Sequence, residues 1–238
     1  MRAYFEKAVT ASLALAAITV AIVLVHREFF ADPIAVRRHR KPEYISNWRQ
    51  FEQSGRVIGD SGAQVKILEF ADLQCPYCRR FNRTLRTTME RFPGKVAIVF
   101  VHLPIPGHKL ALPAARAVEC AHGQGKFGDF VNLLYDNQDS LADKSSLDVR
   151  TWTSYASRAG LRDRVGFAHC MADTLTPPAV KAGRELARQL GVTATPTVII
   201  NGWRYPIPPS DSELVRRVSE LIAGKNSRPF LKRVFGLQ

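Results

Sequence analysis

The sequence predicts an α/β fold with an inserted helical subdomain, preceded by one N-terminal transmembrane helix. Three observations carry this. The apolar runs Val65–Phe70 and Val96–Val101 flank a stretch of helical periodicity, the pattern of a β-α-β unit. Helical spacing then continues from about residue 104 to 190. An apolar strand, Thr197–Ile200, resumes afterwards, so the helices interrupt one domain rather than form another.

Taken in order, residues 1–7 form a short cytoplasmic N-terminus and residues 8–25 an apolar run broken only by Thr10, Ser12 and Thr19. Eighteen residues suit a short membrane span and exceed a usual signal-peptide core, so the segment reads as an uncleaved signal anchor. Basic residues lie on both sides of it: Arg2 and Lys7 before, Arg27, Arg37, Arg38, Arg40 and Lys41 after. Charge counting alone would leave the large domain in the cytoplasm, but long domains translocate largely regardless of flanking charge. Residues 26–56 read as a tether, within which Tyr44, Trp48 and Phe51 suggest a docked amphipathic helix. The main domain is expected over 57–223, followed by a basic tail, 224–238.

Inside the domain, Val65, Ile67, Leu68 and Phe70 make a strand apolar enough to be buried on both faces, as parallel strands are. Cys78, Phe81, Leu85, Met89 and Phe92 recur at three- or four-residue spacing and mark one helical face. Helices are expected over 112–121, 127–137, 151–159, 161–171 and 179–190. Asn201-Gly202 after Thr197–Ile200 is a strong hairpin signal, and Ser212–Ala223 a final helix.

The chain has 238 residues, 46% of them hydrophobic, and a net charge of +13, which points to an anionic partner. Anionic lipid headgroups explain the 37–41 cluster, and no basic-aromatic reader motif or zinc finger supports nucleic acid. The arginines that follow Cys78 read as a solvated helix face.

The chemistry is concentrated in Cys75-Pro76-Tyr77-Cys78. Pro76 sits where a helix tolerates proline, in its first turn. Cys75 precedes that helix, beside unpaired N–H groups and the positive end of the dipole, which favours its thiolate. It reads as the exposed nucleophile, and Cys78, on the apolar face, as the resolving thiol. Half a zinc site is the competing reading, but no second C-x-x-C or H-x-x-x-H follows, and no metal or other cofactor is assigned. Cys120 and Cys170 either close a structural disulfide over about fifty residues or pack as free thiols; an oxidising compartment favours the disulfide. His102, His108, His122 and His169 read as ordinary polar residues.

The order strand, C-x-x-C helix, strand, helical insertion, Thr-Pro, hairpin and helix resembles a thioredoxin fold, and more narrowly the DsbA-like thiol–disulfide oxidoreductases, especially their membrane-anchored members. The matching stretches are EFADLQCPYC (Glu69–Cys78), HLP (His102–Pro104), AARAVECAHGQGKF (Ala114–Phe127) and LGVTATPTVIING (Leu190–Gly202). The resemblance implies that Cys75 attacks and Cys78 resolves. It also implies that Thr195-Pro196 is a cis-proline loop offering backbone groups to substrate, and that Glu69 is a buried acid moving protons to and from Cys78. Tyr77 departs from the histidine common in oxidising members, which leaves the redox direction open.

These features together lead to a membrane-anchored oxidoreductase of the cytoplasmic (inner) membrane. It is single-pass, with its catalytic domain on the periplasmic side, and forms disulfides in unfolded or partly folded secreted proteins with free cysteines. The resemblance implies reoxidation by a quinone-linked membrane partner of the DsbB or VKOR type. The alternatives are a reductase or isomerase using the same pair, a membrane-anchored Cu(I) or Zn(II) thiol carrier without turnover, or a redox-inert adaptor.

Overall fold

In a computed structural model of the chain, residues 12–23, 42–142 and 146–225 are described. The chain divides into two units, 1–40 and 41–238. In the first, residues 12–23 are helical and exposed, and no described helix is long and apolar enough to cross a membrane. The ends of the 8–25 run, the basic cluster at 37–41 and nearly all of the 224–238 tail lie outside the described residues.

The second unit is built on a six-stranded sheet in the order β1-β6-β5-β3-β4-β2. Its strands are β1 (Glu43–Tyr44), β2 (Arg56–Gly59), β3 (Val65–Ala71), β4 (Val96–His102), β5 (Thr197–Ile200) and β6 (Trp203–Tyr205). β3 and β4 run parallel across helix α1 (Pro76–Arg91), the β-α-β unit read from the sequence; every other pairing is antiparallel. All seven residues of β3 and all seven of β4 are buried.

Side-chain alternation sorts the two faces. Val65 and Ile67 pack with Phe81 and Leu85 of α1 and with Leu214 and Val218 of α8 (Asp211–Ile222). Leu68 and Phe70 point the other way, to Trp48, Phe51 and to Leu186 of α7 (Pro178–Gln189). Trp48 and Phe51 belong to a 3₁₀ turn, Trp48–Ser54. The tether expected over 26–56 is therefore no tether from Glu43 onward. There the chain adds an edge strand and two buried aromatic side chains to the domain, which begins earlier than residue 57. β1 and β2 escaped the sequence reading because neither Glu43–Tyr44 nor Arg56–Gly59 is a continuous apolar run or carries a hairpin signal, as Thr197–Ile200 with Asn201-Gly202 does.

The insertion comprises α2 (Ala111–His122), α3 (Phe127–Asp136), the single turn α4 (Asp139–Ala142), α5 (Val149–Arg158), α6 (Arg164–Ala172) and α7. The first helices enclose their own core around Phe130, Leu134, Trp152 and Phe167, continuous with Phe100 of β4 and with Cys75 and Cys78. A buried network ties α2 to the sheet. Glu119 accepts from His102 Nε2 at 3.1 Å and pairs with Arg56 of β2 at 2.5 Å. Burial alone would raise this carboxyl, but the hydrogen bonds from His102 and Arg56 bring it down to about 2. His102, read as an ordinary polar residue, is therefore a buried structural partner.

Two glycines are demanded by geometry. Asn201 (φ 42°) and Gly202 (φ 89°) make the two-residue β5–β6 turn, both left-handed as such hairpins require. Gly183 lets α7 lie against β4, where an added Cβ would fall 2.3 Å from the His102 carbonyl oxygen.

Cys120 on α2 and Cys170 on α6 form a disulfide, their Cα atoms 5.8 Å apart and 50 residues separated in sequence. Closing a loop of that length is worth about 4 kcal/mol in the chain-entropy account. Replacing both cysteines with alanine should lower unfolding free energy by about 2–4 kcal/mol in a urea titration, while leaving the alkylation profile of Cys75 unchanged.

Candidate active site

The site forms where β3 ends. Ala71 hands the chain to a turn, Asp72–Gln74, and α1 starts at Pro76, with Cys75 at its N-cap position in extended conformation (φ −74°, ψ 121°). Cys78 falls on the inward stripe with Phe81 and Leu85 and is fully buried. Cys75 is only 4% exposed. The expected open nucleophile is thus a covered one, because the loop before β5 closes over it. The Thr195–Pro196 bond of that loop is cis, and Cys75 Sγ lies 3.5 Å from the Thr195 carbonyl oxygen.

The two sulfurs experience opposite fields. Cys75 is lowered to about 6: the Cys78 thiol donates to its sulfur, burial pushes back, and Thr195 and the N–H groups of Cys78 and Tyr77 add to the lowering. Cys78 is pushed well above the usual thiol value by burial first, then by its bond to Cys75 and by the negative charge of Glu69. Glu69 shares the face of β3 that carries Val65 and Ile67, which aims it at the base of α1. It is 1% exposed, its Oε1 has no hydrogen-bond partner among the described residues, and burial, followed by the Cys75 charge, raises it to about 8. A protonated acid therefore coexists with a thiolate at neutral pH.

The turn itself is held mostly by the insertion. The buried Asp72 carboxylate accepts from the N–H groups of Gln74 (2.7 Å) and Ile105 (2.8 Å) and from His108 Nδ1 (2.8 Å). Gln74 Oε1 accepts from the N–H of Leu110, and Tyr135 donates to the Asp72 carbonyl. Gln138 Nε2 donates to the carbonyls of Leu73 and Cys75, at 2.9 and 3.1 Å. Ile105, His108, Tyr135 and Gln138 have no site role legible in the sequence; they lie 33 to 65 residues from the groups they hold and follow no motif spacing.

Around the rim, Tyr77 is exposed with the Arg80 guanidinium 6.0 Å from its ring. The helix arginines lie on a largely solvated face, as expected, and two of them are paired there: Arg79 with Asp139 and Arg86 with Asp136, fastening α1 to the α3–α4 region. Among the described residues no three His, Cys, Asp or Glu side chains converge as a metal site.

Residues 52–220 match the model of a family described as thioredoxin. The chain belongs to the thioredoxin family. It resembles the Na(+)/H(+) antiporter NhaA 3 of Salinispora tropica, with 32% identity over 174 residues, 73% of this chain and 26% of that protein. The chain thus spans about a quarter of the length of the curated relatives it matches. Among solved structures it resembles a thioredoxin-like oxidoreductase from Silicibacter pomeroyi, at 25% identity and a TM-score of 0.61, over 76% of this chain and 100% of that one. It also resembles the thiol-disulfide exchange protein alpha-DsbA2 from Wolbachia pipientis, at 20% identity and a TM-score of 0.61, over 74% and 94%. Its fold is accordingly a mixed α/β thioredoxin-like fold with a helical insertion.

The shifted groups predict an unusual pH dependence for the reduced protein. Glu69, raised to about 8, contributes stability that is present below its unfolded value of about 4.3 and lost as pH rises toward 8. Cys75, lowered to about 6, contributes stability that is present above its unfolded value of about 8.5 and lost as pH falls toward 6. The two slopes cancel between about pH 6 and 8. In Glu69→Gln the urea midpoint should instead rise steadily with pH from about 6 to 8; an equally flat profile there would show that Glu69 does not hold the proton.

Proposed function

We propose that the protein is an extracytoplasmic thiol–disulfide oxidoreductase that oxidises protein dithiols. The unequal treatment of its two sulfurs carries the reading. Oxidised, the protein holds a Cys75–Cys78 disulfide. A substrate thiolate attacks Cys75 Sγ, the S–S bond breaks, and its electron pair stays on Cys78. The substrate's second thiolate then attacks the mixed disulfide and displaces Cys75, leaving an oxidised substrate and a reduced enzyme. Cys75 leaves well because its thiolate is already favoured, with a pKa of about 6. Glu69 supplies the proton that Cys78 takes up. The cis loop at Thr195-Pro196 offers its backbone beside Cys75 to an extended substrate segment.

Direction follows from the same asymmetry: whatever stabilises the Cys75 thiolate stabilises the reduced enzyme and makes its disulfide a stronger oxidant. A value of about 6 falls between thioredoxin (about 7) and DsbA (about 3.5). The reductase or isomerase alternative draws on Tyr77 standing where oxidising relatives often carry histidine. A Cu(I) or Zn(II) carrier would have two sulfurs and, among the described residues, no third ligand converging on them.

Placement outside the cytoplasm is supported by the Cys120–Cys170 disulfide, a bond that reducing compartments rarely keep. The apolar run at 8–25 and the basic residues at 37–41 support a single-pass anchor in the inner membrane, with lipid headgroups as partners. That the curated relatives are sodium/proton antiporters is consistent with work at a membrane. Anchoring would keep the domain near a quinone-linked reoxidase at high effective concentration.

The test is the reduction potential of Cys75–Cys78 in the full chain, read by alkylation in glutathione buffers. We expect a value between those of DsbA and thioredoxin, about −120 and about −270 mV. A potential at or below that of thioredoxin would overturn the oxidising direction.

A further inference from the structure

Asp72 is connected to the dithiol by its main chain and to the insertion by its side chain. Its N–H points at Cys78 Sγ, 3.5 Å away, and its carbonyl accepts the N–H of Cys75 at 3.1 Å. The same residue's carboxylate, fully buried, takes the N–H of Ile105 and the Nδ1–H of His108. His108 is a third exposed on the loop between β4 and α2, so it pins the peptide from outside the core.

We propose that the Asp72 N–H stabilises the thiolate that develops on Cys78 when its disulfide opens, and that the Asp72–His108 pair holds this amide in place. This rests on the thiol–disulfide reading above. The opening step leaves an electron pair on Cys78 Sγ, which is fully buried, so desolvation opposes it; Cys75, held in the mixed disulfide, and Glu69, still protonated, are both neutral at that moment. The Asp72 amide acts against that burial. A fixed N–H aimed at a buried, developing anion is the logic of an oxyanion hole applied to sulfur. Glu69 then protonates the thiolate, and the amide lowers the barrier to the charged state that precedes that transfer. Asp72 and His108 act as positioning residues, since neither side chain touches a reacting sulfur.

The test is the rate at which reduced glutathione opens the Cys75–Cys78 disulfide of the full chain, followed by quenched alkylation. Glutathione thiolate forms the mixed disulfide at Cys75 and Cys78 is released, so the step is isolated from substrate recognition. His108→Leu keeps much of the side-chain volume but donates nothing, whereas His108→Asn retains an N–H near the position of Nδ1. We expect His108→Leu and Asp72→Asn each to slow opening by about tenfold or more, less than the about hundredfold or more typical of deleting such a donor outright. His108→Asn should stay within about twofold of the parent, and the Asp72→Asn/His108→Leu double variant should be no slower than either single one, as for two residues acting as one unit. Opening of His108→Leu at the parent rate, or of His108→Asn as slowly as His108→Leu, would overturn the proposal. A parent disulfide that glutathione does not open at all would instead overturn the underlying reading.

Discussion

The strand Val65–Ala71 is buried on both faces, and that constraint organises the rest of the molecule. Seven consecutive buried residues need hydrogen-bonded strands on both edges and a packed layer above and below. β4 and β5 supply the edges, α1 with α8 one layer, and α7 with the 3₁₀ turn the other. The period-2 alternation then leaves no choice about Glu69. It must lie on the α1 face with Val65 and Ile67, under the turn that carries the cysteines. A carboxyl there is costly to ionise, so it keeps its proton at neutral pH.

This makes the site a set of opposed charges rather than one activated group. A thiolate at Cys75 helps to keep Glu69 protonated, and the charges of both groups, after burial, hold Cys78 in its thiol form. The system resolves the conflict by position along α1. Cys75, at the N-cap, has N–H groups and the Cys78 thiol to accept from, while Cys78, one turn in, has mainly burial. One sulfur is ready to carry charge and the other to carry a proton, the division that disulfide exchange requires.

The helical insertion is more than a lid. Its core is continuous with the dithiol, and its side chains reach back to the turn through Tyr135, Gln138 and His108. The disulfide between α2 and α6 and the Glu119 network fix that insertion internally and against the sheet. Arg79 and Arg86, facing Asp139 and Asp136, fasten it to α1 from the solvent side, where exposed pairs add little energy but orient the contact.

Local periodicity was enough to read the core elements, because each is long or apolar enough to declare itself. The runs 65–70 and 96–101, the helix after Cys75, the Asn201-Gly202 hairpin and most of the insertion helices lie where their spacing placed them. The C-x-x-C spacing likewise determined which sulfur precedes the helix and which enters it. The edge strands at 43–44 and 56–59 were silent, since pairing along a sheet edge depends on a partner far away in sequence. Only the tertiary structure decided that Cys75 is covered by the loop before β5 and that Glu69 lacks, among the described residues, a partner for its Oε1. Asp72 shows the limit most plainly. In the sequence it is one residue between an apolar run and the C-x-x-C, and its connection to His108 exists only because β3 and β4 run side by side and bring two loops together at the same end of the sheet.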